Sequence, residues 1–148
     1  MDRIIPAAFV IAALAFAPPA QAGGPAKVLQ DWAAAHSEGS AARAATLYTA
    51  DARVWSVAAP RAWVGHDDIG HYLTVFALGA APPAFRIDSY NLQSLGEGVV
   101  VASGHCAVER EQWDGSMGHE ECRFSLTLMQ DNTGAWRIAE QHSSARPR

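Results

Sequence analysis

The chain has 148 residues, 49% of them apolar, and a net charge of −4 with a single lysine, Lys27. That length supports one domain, and that apolar share supports a packed core and excludes a disordered chain. The acidic balance and the lack of any basic run exclude an ordinary nucleic-acid-binding surface.

The first 22 residues read as a targeting segment. Arg3 gives a positive start, an apolar stretch runs over 4–17, and Ala20-Gln21-Ala22 forms a small-residue cleavage pattern. The stretch is shorter than the ~20 residues that span a bilayer. Cleavage near Ala22 is expected, leaving a single domain over 23–148 that is periplasmic or secreted and not held in the membrane.

Residues 26–36 carry Val28, Trp32 and Ala35 on one helical stripe. Ser40 can cap a second helix that reaches about Tyr48, and Thr49-Ala50-Asp51 reads as a turn. Residues 53–57 and 61–64 form a short strand and its hairpin mate. Gly65-His66-Asp67-Asp68 opens a third helix, where two aspartates suit the positive N-terminal end better than a metal site. Ile69, Tyr72, Leu73, Phe76 and Ala77 make that helix's buried side, and Gly79 with Pro82-Pro83 ends it. Four long strands follow at about 84–94, 98–110, 117–130 and 135–145, separated by Gly96, Asp114-Gly115 and Asp131-Asn132-Thr133-Gly134. Helices first and a strand meander after give an α+β fold: a cone-shaped, curved antiparallel sheet wrapped around about three helices, with a pocket between them.

The turns imply a register. A four-residue loop over 131–134 sets Arg123 opposite His142 and Ser125 opposite Glu140. Centring the Asp114 turn so that Cys106 faces Cys122 sets His105 opposite Arg123. His105, Arg123 and His142 then form one row, on a face that also carries Ser103, Ser125, Glu140 and Ser144 above an apolar floor of Trp136 and Ile138. The opposite face, with Val100, Ala102, Val108, Phe124, Leu126 and Leu128, is more uniformly apolar.

Several residue types in this pattern suit chemistry. Arg123 presents a rigid fork of donors for a carboxylate, and His142 titrates near neutral pH and can move a proton. Glu140 and Asp51 are candidate bases. Tyr48, Trp55, Trp63 and Tyr72 suit either a pocket wall or plain core. Cys106 and Cys122 suit a disulfide in an oxidising compartment better than a nucleophile or a metal site. The chain has no P-loop, no G-x-G-x-x-G after a strand and no G-x-S-x-G, so no cofactor is expected.

The stretches LYTADARVW, GHDDIGHYL and CRFSLTLMQDNTGAWRIAEQHSSARP occur in an order that resembles the nuclear transport factor 2-like superfamily. The resemblance is to the bacterial branch related to the association domain of calcium/calmodulin-dependent kinase II, within the SnoaL-like and ketosteroid-isomerase-like fold. In that branch the last strands read Arg-Phe-Thr-Phe, a turn, then Trp-x-Ile-x-x-His-His-Ser-Ser-x-x-Pro. Arg123, Phe124, Trp136, Ile138, His142, Ser143, Ser144 and Pro147 match, and Gln141 replaces the first histidine. The resemblance implies a dimeric cone whose pocket is lined by arginines, one matching Arg123, and so points the Arg123 face inward.

Three functional expectations follow. The first is an exported binder of a small polar-headed or anionic ligand, with Arg123, His142, Ser144, His105, Trp136 and Tyr48 around it and a homodimer formed through the more apolar sheet face. The second is an isomerase, dehydratase or cyclase using His142 as acid or base, oriented by Glu140. The third is a pure interaction module.

Overall fold

Val28, Leu29, Trp32 and Ala35 form the buried side of α1 (Pro25–Ser37), which Pro25 opens in a position that suits a helix start. The computed structural model describes residues 23–56, 59–76 and 81–147. The expected leader over 1–22, and Ala77 and Gly79 at the end of the third helix, lie outside the described residues. After α1 come α2 (Ala41–Ala45), β1 (Tyr48–Trp55), β2 (Trp63–Val64), α3 (Gly65–Phe76), β3 (Ala84–Gly96), β4 (Val99–Glu111), β5 (Met117–Gln130) and β6 (Trp136–Ala145). They form an α+β fold with one six-stranded sheet in the order β2-β1-β6-β5-β4-β3. The strands pair antiparallel except β1 and β6, which run parallel.

The second helix is shorter than its sequence suggests. Ser40 caps it by accepting the Arg43 N–H, but Tyr48 already belongs to β1. The Ile138 N–H donates to Leu47 O at 2.8 Å, and Tyr48 pairs with Ile138, so β6 captures residues that local preference would leave helical. The expected turn at Thr49-Ala50-Asp51 is instead the irregular part of β1 between Tyr48 and Arg53. Gly65, at φ 78°, makes the left-handed turn from β2 into α3. Asp68 then accepts the Val64 N–H and pairs with Arg61, whose guanidinium holds the carboxyl down at about 2.

The β4–β5 hairpin has the expected register: His105 faces Arg123 and Cys106 faces Cys122. The β5–β6 hairpin does not. Asp131 N–H donates to Ala135 O, and its carboxylate accepts the N–H groups of Thr133 and Ala135, so the loop holds five residues and Gln130 pairs with Trp136. A second one-residue shift follows between Thr127 and Leu128. Arg123 therefore faces Ser144, Ser125 faces His142, and Thr127 faces Glu140. The two shifts restore parity, so these residues still share one face, while Trp136 and Ile138 cross to the other.

That shared face points outward. The helices cover the other one, where Ala102, Cys106, Phe124, Leu126, Leu128 and Ile138 are buried with Trp32, Ile69 and Leu73. The apolar stripes of α1 and α3 need an apolar partner surface, and only this face supplies it. The face expected to mediate a dimer is thus the interior of the domain. Ser37 ties α1 to the edge strand: its Oγ donates to Phe85 O at 2.8 Å and accepts Phe85 N–H at 3.1 Å. Among the described residues, no helix is long and apolar enough to cross a membrane.

Candidate functional site

The alternation of β6 decides which of its polar residues reach the interior. Gln141 pairs with Val54 of β1 and Leu126 of β5, and Val54 pairs with Trp63 of β2. Trp63, Val54, Gln141, Leu126 and Ala102 thus make one transverse row on the inner face. Ser143, two residues further on, faces the same side opposite Phe124.

Beneath this row lies a cavity of about 360 Å³. Trp32 and His36 of α1, Tyr72 and Phe76 of α3, and Phe85 of β3 form its aromatic walls. His36 and Phe76 meet edge to face with ring centroids 5.0 Å apart, and Trp32 and Phe85 do so at 4.9 Å. The disulfide between Cys106 and Cys122 and the side chain of Val108 complete the apolar lining. Its polar and charged lining comprises Ser56, Trp63, Gln141, Ser143, Ser144, Arg110, Gln112 and Glu120. The Arg110 guanidinium lies 5.0 Å above the Phe76 ring.

A hydrogen-bond chain backs the cavity. Trp32 Nε1 donates to Tyr48 Oη at 3.1 Å, Tyr48 Oη donates to Gln141 Oε1 at 2.5 Å, and Gln141 Nε2 donates to Ser143 Oγ at 3.1 Å. All three members at its start are buried, so each link satisfies a group that would otherwise be costly. Burial, then the neighbouring Tyr72, push the Tyr48 hydroxyl well above its ordinary value, so it stays protonated as a donor. Burial also raises Tyr72, against a smaller opposing pull from hydrogen bonding with Ser56 and Gln141.

His36 is a buried, neutral imidazole. Burial lowers its pKa to about 4, outweighing the opposite effect of its bond to Trp32 O. That bond, 2.8 Å from Nδ1, places the ring proton on Nδ1 and leaves Nε2 as the basic nitrogen. Trp63 Nε1 is buried and has no hydrogen-bond partner among the described residues.

The residues expected around a ligand separate into two groups. Ser144 contributes to the cavity lining, and Tyr48 reaches it indirectly by orienting Gln141. Arg123, His142 and Glu140 are exposed on the outward face. His105, half-buried there, bonds Ser89 Oγ through Nδ1 at 3.3 Å. Trp136 packs against the core rather than lining the cavity. Trp63 and Tyr72 line it, whereas Trp55 is exposed beside His142. His36, Gln141, Ser143, Ser56, Phe85 and Arg110 were not singled out from sequence as site residues. The available signal was a histidine on the stripe of α1, four residues after Trp32.

Solved structures share this architecture. A candidate calcium/calmodulin-dependent protein kinase II association domain from Xanthomonas campestris is 23% identical over 89% of this chain and 94% of that one, with a TM-score of 0.74. A nuclear transport factor 2-like superfamily protein from Salmonella enterica serovar Typhimurium is 16% identical over 82% of this chain and 88% of that one, at a TM-score of 0.73. A candidate scytalone dehydratase from Novosphingobium aromaticivorans is 12% identical over 82% of this chain and 81% of that one, also at 0.73. These identities establish a common fold and leave chemistry open. No curated protein matches the chain. The SnoaL-like domain profile matches residues 26–147, from the start of α1 to beyond β6, and the chain belongs to the SnoaL-like domain family.

Proposed function

We propose that this domain binds a small, largely apolar molecule with one polar end in the cavity between the sheet and the helices. The supporting observation is the cavity itself: about 360 Å³, walled by Trp32, His36, Tyr72, Phe76 and Phe85, with Gln141 and Ser143 held in fixed orientation on one side. Ligand sites combine an apolar wall with a few convergent polar groups in this way. The protein acts after export, with the leader over 1–22 removed near Ala22. Self-association uses the outward sheet face, where Trp55 and Met129 are exposed, and light scattering of the purified domain reads it directly.

A thermal-shift screen of small aromatic and alicyclic ketones and acids tests the reading. A compound at a hundred times its Kd adds about 2.7 kcal/mol, enough to raise Tm by several degrees. The stabilisation is expected to vanish in Ser143→Phe, which puts a ring into the cavity, and to persist in Arg123→Ala. No shift with any compound would favour an interaction module.

One observation favours an enzymatic reading. The neutral His36 imidazole, with Nε2 as its basic nitrogen, could take a proton from a substrate in the cavity, as an isomerase or dehydratase requires. Turnover of a bound ketone that is lost in His36→Gln while binding persists would establish it.

A further inference from the structure

The sheet has two edges, and they are finished differently. β2 is only two residues long, Trp63–Val64, and the Asp68 carboxylate accepts the Val64 N–H. β3, at the other edge, runs for 13 residues, and among the described residues only β4 pairs with it. Its first part is covered: Phe85 turns its backbone N–H and C=O away from β4, and both bond Ser37 Oγ of α1. In an antiparallel ladder, successive residues alternately exchange both bonds with the paired strand or turn both groups away from it. Phe85 lies opposite Val108, and Gly104, Ala102 and Val100 continue the same alternation on β4 opposite Tyr90, Leu92 and Ser94. The extra residue, Asp88, belongs to β3, so the alternation on β4 is unbroken. Tyr90, Leu92 and Ser94 therefore turn their N–H and C=O groups to the free edge as Phe85 does.

Nothing in this stretch protects that edge. Native edge strands are blunted by lysine, proline, inward-pointing charges or bulges. Residues 89–95, SYNLQSL, contain no charge and no proline, and the register shifts at Asp88 and before Gly96 stand at its two ends. Tyr90, Leu92 and Leu95 are exposed large apolar side chains within it. A strand of this kind invites a further strand, held by main-chain hydrogen bonds.

The stretch is complementary to itself. Antiparallel pairing with its own copy about a two-fold axis at Leu92 sets Leu92 against Leu92, Tyr90 against Ser94 and Asn91 against Gln93. That register uses every backbone group that Tyr90, Leu92 and Ser94 turn outward. Asp88 meets Gly96, so no like charges face each other. Centring on Asn91 instead would bring Ser94 against the bulged Asp88. Because the short, capped β2 offers no second open edge, such pairing closes at two copies.

We propose that this protein dimerises edge to edge, the β3 strands of two copies pairing antiparallel about Leu92 and joining their sheets into one. This contact uses neither the cavity nor the outward face where Trp55 is exposed.

Amide hydrogen exchange, read by NMR on the wild-type protein, tests it. Concentrating the protein is expected to slow exchange at Tyr90, Leu92 and Ser94 about tenfold or more, and to leave Asn91 and Gln93, already bonded to β4, unchanged. The pattern is expected to persist in Trp55→Asp and to be lost in Leu92→Lys, which puts a charge at the axis. Under mild oxidation Leu92→Cys should cross-link to its copy at least about tenfold faster than Leu95→Cys, because the axis holds only position 92 within disulfide reach of its twin. Leu95 is the more exposed of the two, 59% against 42%, so random collision predicts the opposite order. Fast exchange at the three amides at every concentration overturns the dimer and leaves the edge to a foreign strand. Slow exchange there in dilute monomer also overturns it, since another part of the chain then covers the edge. Slowing that disappears in Trp55→Asp overturns it in favour of the outward face. The exchange is read on wild-type protein, so the test survives a variant that fails to fold.

Discussion

The two faces of the sheet are built from the same strands and do opposite work. On β6, Gln141 is 1% exposed and wired through Tyr48 to Trp32, while its neighbour His142 is exposed beside Trp55. On β5, Leu126 is fully buried and Ser125 and Arg123 face solvent. Chemical potential in the side chain does not predict a role; the face it occupies does. Arginine and histidine in solvent are well hydrated and cheap, whereas glutamine and histidine inside must be positioned by partners.

The contrast is broken most forcefully at the apolar positions. Leu126→Ala is expected to cost about 2–5 kcal/mol by urea unfolding, whereas Ser125→Ala, one residue away, should shift stability by under about 0.5 kcal/mol. Similar values for the two would mean that the faces are not distinguished as described.

Acid separates the two faces next. Above pH 6.5 His36 is neutral whether folded or unfolded; below it, the unfolded chain takes up a proton that the folded protein refuses until about pH 4. Stability should therefore fall by about 1.4 kcal/mol per pH unit across that window, roughly 3 kcal/mol in all. His36→Phe should flatten this slope, and His142→Ala should leave it unchanged. Below pH 4, stability held by the depressed carboxyls of Asp68 and Asp131 is lost in both variants, since each titrates at about 2.

Tyr48→Phe leaves Trp32 Nε1 and Gln141 Oε1 without their partner and should cost about 1–3 kcal/mol. Adding Gln141→Leu removes one of the stranded groups and should recover part of the loss, a coupling that a double-mutant cycle measures. The smallest effects belong to the outward face. Arg123→Ala and His142→Ala are each expected within about 0.5 kcal/mol of wild type in chemical unfolding, with unchanged affinity for a cavity ligand.

The order of elements and the α+β class are legible in the sequence because helical stripes and turn residues carry them directly. The β4–β5 register is legible too. Asp114 and Gly115, the latter at φ 81°, place the turn symmetrically, and the pairs run unbroken from Glu111–Met117 to Val99–Met129. The β5–β6 register is not, because it depends on how many N–H groups the Asp131 carboxylate gathers and on a second shift at Thr127. The orientation of the sheet differs from expectation for another reason. Choosing the inward face by the charged motif around Arg123 gave the wrong side, and choosing it by apolarity, from Phe124, Leu126 and Leu128, gives the right one. Gln141, which the resemblance marks only as a replaced histidine, lines the cavity.

The parallel seam between β1 and β6 also dictates when this domain can fold. Tyr48, Arg53 and Val54 find their sheet partners in residues 138–141, near the other end of the domain. A nascent chain that has emerged only through β5 leaves β1 and β2 unpaired with the β3–β5 part of the sheet, and the edge of β5 open. Closure waits for synthesis of β6, and such distant pairing makes folding slow relative to that of a helical bundle. For a chain exported as proposed above, that delay would keep a finished core from forming before the last strand arrives.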